Sequence, residues 1–415
     1  MKFSTKHNSS DLRPTAVDLF AGAGGLGLGF MLGGFDVPLS VEIDQWACDT
    51  LRYNHPKMGV LQADIRDYQD SASIKQICPQ RPDVIIGGPP CQGFSIAGPA
   101  KKDPYDPRNS LFINFARWVE VLQPQVFVME NVKGILGRKN GDGQKVISIV
   151  KQVFSELGYQ LDEVWVLNAA NYGVPQIRER IFIVGHRLSQ EIAPPSPICD
   201  LKVLNTDQVQ LDLADKLGLQ PPVSLWDAIS DLPALEAGGG KEEQFYIDEP
   251  ANAYQQWIRK DSKVLYNHVA MSHSKRLVER FKHIQCGMSV SDVPIEHGAR
   301  QRNGNGIISE SLYDQNNRRL FPDKPSHTIA AAFYANFLHP FQHRNLTARE
   351  GARAQSFPDS YRFMGKKTVV SQKLLHREGR FTEKYLCQYN QIGNAVPPLL
   401  AQAIALHLKQ VLNHG

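Results

Sequence analysis

Between residues 15 and 184 the chain repeats one pattern: a short apolar run, a turn, then a stretch with helical spacing. The apolar runs are 15–20, 38–41, 60–63, 83–86 and 125–129, with further strands around 161–167 and 181–184. Helical stretches fall at 45–54, 74–78, 110–122 and 143–157. Strands separated by helices pair in parallel and need helices on both faces of the sheet, so four or more such units predict a doubly wound α/β domain. In open sheets of this kind, ligands bind at the carboxyl ends of the strands. The residues in those turns therefore carry the functional reading.

The first strand runs into a glycine-rich turn, 21–30, that opens a helix. Glycines let the backbone approach a ligand, and the helix offers its positive N-terminus. Dinucleotides, phosphates and S-adenosylmethionine fit such a turn alike, but no Lys-Ser/Thr closes it, which argues against a nucleoside triphosphatase. Glu42 ends the second strand, where a carboxylate accepts ribose hydroxyls or caps the next helix. Ile43 offers an apolar face for a base, and Asp64 suits an adenine amino group or a plain turn. Glu130 ends a buried strand, a costly place for a carboxylate without a partner or a task. Gln176, Arg178 and Arg180 share one face if extended; they bind a phosphate or carbonyl oxygen, or form a solvated sheet edge. Cys91 follows Gly87-Gly88-Pro89-Pro90 at a strand's end. A lone cysteine is ordinarily a small core residue, but two prolines before it have no packing purpose.

The 415 residues, 42% hydrophobic, suffice for two or three domains. Six cysteines show no C-x₂-C spacing, so no zinc site is expected and a reduced, cytoplasmic protein is. There is no 18-residue apolar run and no signal-peptide core, so no membrane segment is expected. The net charge of +4 is uneven: residues 191–259 hold 4 Lys/Arg against 12 Asp/Glu, whereas 260–345 hold 12 against 7, with seven histidines. A basic segment in a nearly neutral chain is a plausible polyanion footprint. Residues 268–345 lack a clear period and predict a small, loop-rich domain of strands. Thr347 with Glu350 forms a capping box, and the apolar helix ending near 412 must return to the α/β core.

The blocks Asp18-Leu19-Phe20-Ala21-Gly22-Ala23-Gly24-Gly25, Pro89-Pro90-Cys91-Gln92, Glu130-Asn131-Val132, Gln176-x-Arg178-x-Arg180, Arg349-Glu350 with Gln355-x-Phe357-Pro358, and Gly393-Asn394-Ala395-Val396-Pro397 stand in the order of the DNA cytosine-5-methyltransferase family. The chain resembles that family, of the prokaryotic restriction-modification type, over 15–190 and 346–412. The resemblance implies a Rossmann-like mixed sheet of the S-adenosylmethionine-dependent methyltransferase fold with a second, smaller target-recognition domain. It divides the chain into a catalytic domain at 15–190, an acidic connecting segment at 191–265, target recognition at 266–345, and a return to the catalytic domain at 346–415. Cys91 would attack C6 of a flipped cytosine, Glu130 would protonate N3, Arg180 would hold O2, and Arg178 would support them. Phe20, Gly22, Gly24, Leu26, Glu42, Ile43, Asp64, Ile65, Pro90, Asn394 and Val396 would line the S-adenosylmethionine pocket, and Asn131 would hold the nucleophile loop. Gln92, Ser95 and Arg108 would meet DNA as that loop closes. Arg300, Arg302, Arg318, Arg319 and Thr328 would face DNA from the recognition domain. The expected partner is double-stranded DNA, with the protein a monomer whose restriction endonuclease shares its target sequence. The lead 189–265 and the stretch 362–390 are longer than the compact bacterial pattern, and the second, with Lys366, Lys367, Lys373 and Arg377, suggests an added DNA-facing hairpin. Competing readings are a tRNA cytosine methyltransferase, a catalytically dead DNA-binding relative and a nicotinamide oxidoreductase.

Overall fold

The computed structural model describes residues 13–90, 111–139, 143–200, 220–300, 307–308, 316–368, 377, 379 and 385–414. Eight strands form its central sheet: β1 Thr15–Leu19, β2 Asp36–Glu42, β3 Gly59–Gln62, β4 Val84–Gly87, β5 Val126–Val132, β6 Gln160–Leu161, β7 Trp165–Asn168 and β8 Glu179–His186. Their order is β3-β2-β1-β4-β5-β8-β6, with β7 also paired to β8. The first five strands are parallel, and β8 enters antiparallel to β5 with Glu130 opposite Phe182 and Val132 opposite Arg180. The sheet is therefore mixed, as the resemblance implied.

Both faces of the sheet are covered, which is why its strands read as continuous apolar runs. Alternate residues divide between the faces: Ala16, Val84, Ile86, Val126 and Val128 to one, Val17, Leu19, Ile85 and Phe127 to the other. The second face packs on α3 Ser71–Ile77, α4 Leu111–Leu122 and α5 Val146–Glu156 through Ile74, Phe115, Trp118 and Phe154. On the first face α1 Gly25–Leu32 lies against the C-terminal helix Pro398–His414, which contributes Leu400, Ile404 and Leu408. A Cβ at Gly29 would lie 2.2 Å from that of Ala401, so only glycine permits this approach. The run Gln388–Asn413 is long and apolar enough to cross a membrane by composition, and half of it is buried in the protein. The expected return of the chain end to the sheet is thus observed.

The strand expected over 161–167 is broken into β6 and β7. Between them Asp162 accepts from Ile192 N at 2.8 Å and pairs with His186 at 2.9 Å, drawing the chain away from the ladder. The described residues of the second half hold more turns and short helices than strands. Among the described residues its strands are the antiparallel pair β9 Gly240–Gln244 and β10 Leu265–Val269, and the two-residue parallel pair β11 Arg318–Arg319 and β12 Phe337–Leu338. The described part of the acidic segment is packed rather than extended. Leu225, Ile229, Tyr254 and Ile258 join Ala352, Phe357, Tyr361 and Ile392 in a third apolar cluster. Every residue of the helix Ala348–Ala354 is buried. Arg353 on this helix pairs with Asp231 of the acidic segment and with Asp359, the latter at 2.6 Å. The Thr347/Glu350 capping box forms, and Glu350 also receives Arg344 at 2.7 Å.

Candidate active site

The carboxyl ends of β1, β2, β4 and β5 open into one cavity of about 830 Å³, with walls running from Phe20 through Glu42 and Asp64 to Pro90 and Glu130. β1 leaves the sheet through Phe20 at φ 60 and Gly22 at φ 55. The left-handed conformation strains a non-glycine residue by about 1–3 kcal/mol and persists where the surroundings hold it. Nothing lies within 4 Å of a Cβ placed on Gly22, so this turn is open toward the cavity. Gly24 does not line the cavity as expected: it is the N-cap of α1 at φ 79, and its side-chain position points 2.5 Å from Leu51 Cδ2. It builds the turn from behind.

Glu42 fixes the turn. Its Oε2 accepts from Gly22 N at 2.7 Å, and its Oε1 accepts from Ile43 N and Asp44 N at 2.9 and 2.8 Å. Burial raises its pKa against those three hydrogen bonds. The capping alternative falls to its neighbour: Asp44 Oδ1 accepts from Ala47 N and caps α2 Gln45–Asn54. Ile43 is 61% exposed although large and apolar, and it faces the same cavity. Asp64 is a turn residue that also reaches the cavity. It caps a 3₁₀ turn and pairs with Arg66 at 2.5 Å, which holds its carboxyl below the usual range, and it still lines the cavity. Leu26, Ile65, Pro90, Asn394 and Val396 complete the expected lining.

At the other end Glu130 Oε1 lies 3.0 Å from Arg180 Nε, each side chain 15% exposed. Burial raises the Glu130 pKa while the two arginines lower it, and the net direction is upward. A Cβ on Gly88 would stand 3.0 Å from Glu130 Oε2, so glycine at 88 leaves that oxygen room. Gln176 and Arg178 are fully buried, which removes the solvated-edge alternative for them. Arg178 donates to Ile329 O at 2.8 Å and Gly393 O at 3.0 Å, tying the sheet to two distant segments. Its place is supporting rather than cavity-lining. Asn131 Nδ2 donates to Pro89 O at 3.1 Å and so restrains the chain that leads into Cys91.

Cys91, Gln92, Ser95, Arg108 and Arg302 lie outside the described residues. The described cysteines offer no competing nucleophile at the cavity. Cys48, Cys78, Cys199 and Cys387 are buried with thiol pKa values raised by desolvation, that of Cys48 to about 12; only a thiolate is reactive. Cys286 is half-buried and absent from the cavity wall.

One DNA-facing expectation is corrected. Arg319 is 4% exposed, and its guanidinium donates to the carbonyls of Ile284, Phe281, His339 and Gln342 at 2.5–2.8 Å. With its donors consumed inside the fold, Arg319 is a structural tie. Arg318 is half-buried, Arg300 is exposed beside a bridge to Ile308, and Thr328 donates its hydroxyl to Ile177 O at 2.8 Å. Sequence reasoning missed Asp18, Arg66, Arg138, Leu386 and Gln391, all on the cavity wall. Asp18 is 1% exposed, accepts from Gly27 N at 3.1 Å, and burial pushes its pKa up to about 8.

A model of the C-5 cytosine-specific DNA methylase family matches residues 15–410. The chain is 47% identical over 394 residues to the type II methyltransferase M.DdeI of Desulfomicrobium norvegicum, covering 94% of this chain and 87% of that one. It is 36% identical over 392 residues to the type II methyltransferase M1.HphI of Haemophilus parahaemolyticus, covering 94% and 85%. Among solved structures, an E. coli prophage-encoded protein described as a DNA modification methyltransferase superposes with a TM-score of 0.69 at 27% identity, covering 96% of this chain and 99% of that one. DNMT2 of Spodoptera frugiperda shares the fold at 17% identity, with a TM-score of 0.54 over 95% and 99% of the two chains.

Proposed function

This chain belongs to the C-5 cytosine-specific DNA methylase family and is a DNA cytosine-C5 methyltransferase; from that premise we propose a covalent mechanism for it, with named roles for its residues. The observation that carries the reading is the single cavity joining the Gly22–Glu42 end to the Pro90–Glu130 end. A methyl donor and a base held in it share one space.

Three features of the cavity support S-adenosylmethionine as its ligand. The open turn at Gly22 leaves room for its amino-acid end, Glu42 suits the ribose hydroxyls, and Ile43 offers an uncovered apolar face. Bound there, the sulfonium supplies an electrophilic methyl group. The target cytosine is flipped out of the duplex, as for methyltransferases generally. Cys91 Sγ adds to C6, and C5 becomes an enamine carbon. Arg180 Nε engages Glu130 Oε1, which leaves Oε2 to carry the proton that burial favours. That proton goes to N3 as charge develops, and the Arg180 guanidinium steadies O2. C5 takes the methyl group. A base then removes the C5 proton, the C5–H electron pair forms the C5=C6 bond, the Cys91 thiolate leaves C6, and the N3 proton returns to Glu130. In a cell the product would shield the host's cytoplasmic DNA from an endonuclease with the same target, the role that type II relatives suggest, and the enzyme would act as a monomer.

Fluorine at C5 cannot leave as a cation, so a duplex with 5-fluorocytosine at its target should hold the enzyme in a denaturation-resistant complex. Bisulfite sequencing of plasmid methylated in a host first identifies the target. Mass spectrometry should place the link on the peptide containing Cys91. Cys91→Ser should lose adduct and turnover, and Glu130→Gln should slow turnover by about 10²–10⁴-fold. A link at another cysteine, or full activity in Cys91→Ser, refutes the assignment.

A further inference from the structure

The stretch 362–390 departs from the compact pattern, and its described limbs do not stand away from the catalytic body. Both return to α2. Arg362 N and O are each bonded to the Asn54 side chain, at 2.9 and 2.8 Å, and Met364 N donates to Thr50 Oγ1 at 2.9 Å. On the other limb the Tyr385 ring lies 5.1 Å from that of Trp46, whose indole is also crowded by Gly365. The two limbs are tied to each other where Gln388 N donates to Lys366 O at 3.0 Å.

Leu386 follows Tyr385, and its main chain is held on both sides. Its N–H donates to Asp44 Oδ2 at 2.7 Å, and its carbonyl accepts from Gln391 Nε2 at 2.7 Å. Gln391 is itself fixed by Thr50 Oγ1 at 2.6 Å. Yet the Leu386 side chain joins none of the apolar clusters; it is half-buried and lines the cavity that holds Glu42 and Ile43. An apolar side chain so restrained, facing a cavity with another uncovered apolar residue, is arranged for a ligand to cover.

We propose that Leu386 is a cofactor-binding residue supplied by the 362–390 stretch, closing the S-adenosylmethionine cavity beside Ile43, and that Asp44 is the positioning residue that holds it there. The inference rests on the cofactor reading of the cavity given above. Asp44 has two separable duties: Oδ1 caps α2 and Oδ2 holds Leu386. Asp44→Asn keeps the capping oxygen and places an N–H group, which cannot accept, against Leu386 N–H.

Isothermal titration of the cofactor-free full-length protein with S-adenosylhomocysteine tests this. Leu386→Ala should bind about tenfold more weakly, the scale of one apolar side-chain contact, and Leu386→Met should stay within about twofold of the parent. Asp44→Asn should weaken binding in the same direction. Thermal melts of the unliganded Leu386 variants should match the parent while Asp44→Asn melts lower, and with duplex DNA the cofactor KM of Leu386→Ala should rise while kcat holds. Parent-like affinity in Leu386→Ala overturns the proposal, as does a fall in kcat at unchanged KM. A parent protein that does not bind S-adenosylhomocysteine overturns the cofactor reading itself.

Discussion

Asp18→Asn isolates the energetic consequence of a carboxyl buried at the root of the cavity. Asp18 is 1% exposed, no described Lys or Arg pairs with it, and its carboxyl titrates near 8 in the folded protein against 3.8 in an exposed setting. Desolvation is the leading cause, with Glu42 adding repulsion and the Gly27 N–H opposing both. Between those two pKa values the folded protein holds a proton that the unfolded chain has released. Stability must therefore fall as pH rises through this window, by up to about 1.4 kcal/mol per pH unit. From about pH 5.5 to about pH 7.5 the loss is at most about 3 kcal/mol, and about 2 once local relaxation is allowed for. Asparagine has no proton to lose. Any fixed cost of the amide, such as an unmet N–H, is the same at both pH values and cancels. Urea denaturation of the cofactor-free proteins at both pH values should show the variant gaining about 2–3 kcal/mol relative to the parent on going to the higher pH. Parallel pH profiles for the two proteins would refute the claim that Asp18 is folded as the neutral acid.

Two further outcomes follow from buried guanidinium groups. Arg319→Ala strands several carbonyls around 281–342 and should cost about 3 kcal/mol or more in chemical denaturation, lowering methylation of every duplex rather than altering sequence preference; a changed target with parental stability would restore it to the DNA-reading set. Arg178→Lys replaces a fork that spans Ile329 O and Gly393 O by a single ammonium, and should lower the melting temperature and turnover while leaving the pH dependence governed by Glu130 in place; a shifted pH optimum at unchanged stability would assign Arg178 to the chemistry directly.

Much of the α/β half was legible because its signals are local. Apolar runs buried on both faces, turn glycines and acidic strand ends each follow from short-range constraints, and the alternation at Gln176, Arg178 and Arg180 survives as one inward face. What sequence could not separate was an arginine free to face DNA from one that ties loops together: Arg318 and Arg319 are adjacent, and only the fold shows that the guanidinium of the second meets carbonyls from two segments, 281–284 and 339–342. Leu386 and Gln391 were invisible for a related reason. Their link to Asp44 and Thr50 spans more than 300 residues, and neither residue type marks a ligand site by itself. Asp18 was seen only as part of a motif, since its protonation depends on burial that strand patterning does not quantify.

Two joints made by the second half of the chain differ in what they demand of a crossover between genes. At the joint with β8, Pro175, Gln176, Ile177 and Arg178 engage main-chain groups of Ser326 and Ile329. Peptide groups are the same in every sequence, so a recombinant segment could meet this joint without matching side chains. The other joint runs through matched ions: Arg344 with Glu350, and Asp231 with Arg353. A hybrid gene whose breakpoint falls between 231 and 353 inherits Asp231 and Arg353 from different parents, and one between 344 and 350 also divides Arg344 from Glu350; a mismatch leaves a charge buried alone, a loss of about 3–5 kcal/mol. Recombination is therefore free at one joint and conditional at the other.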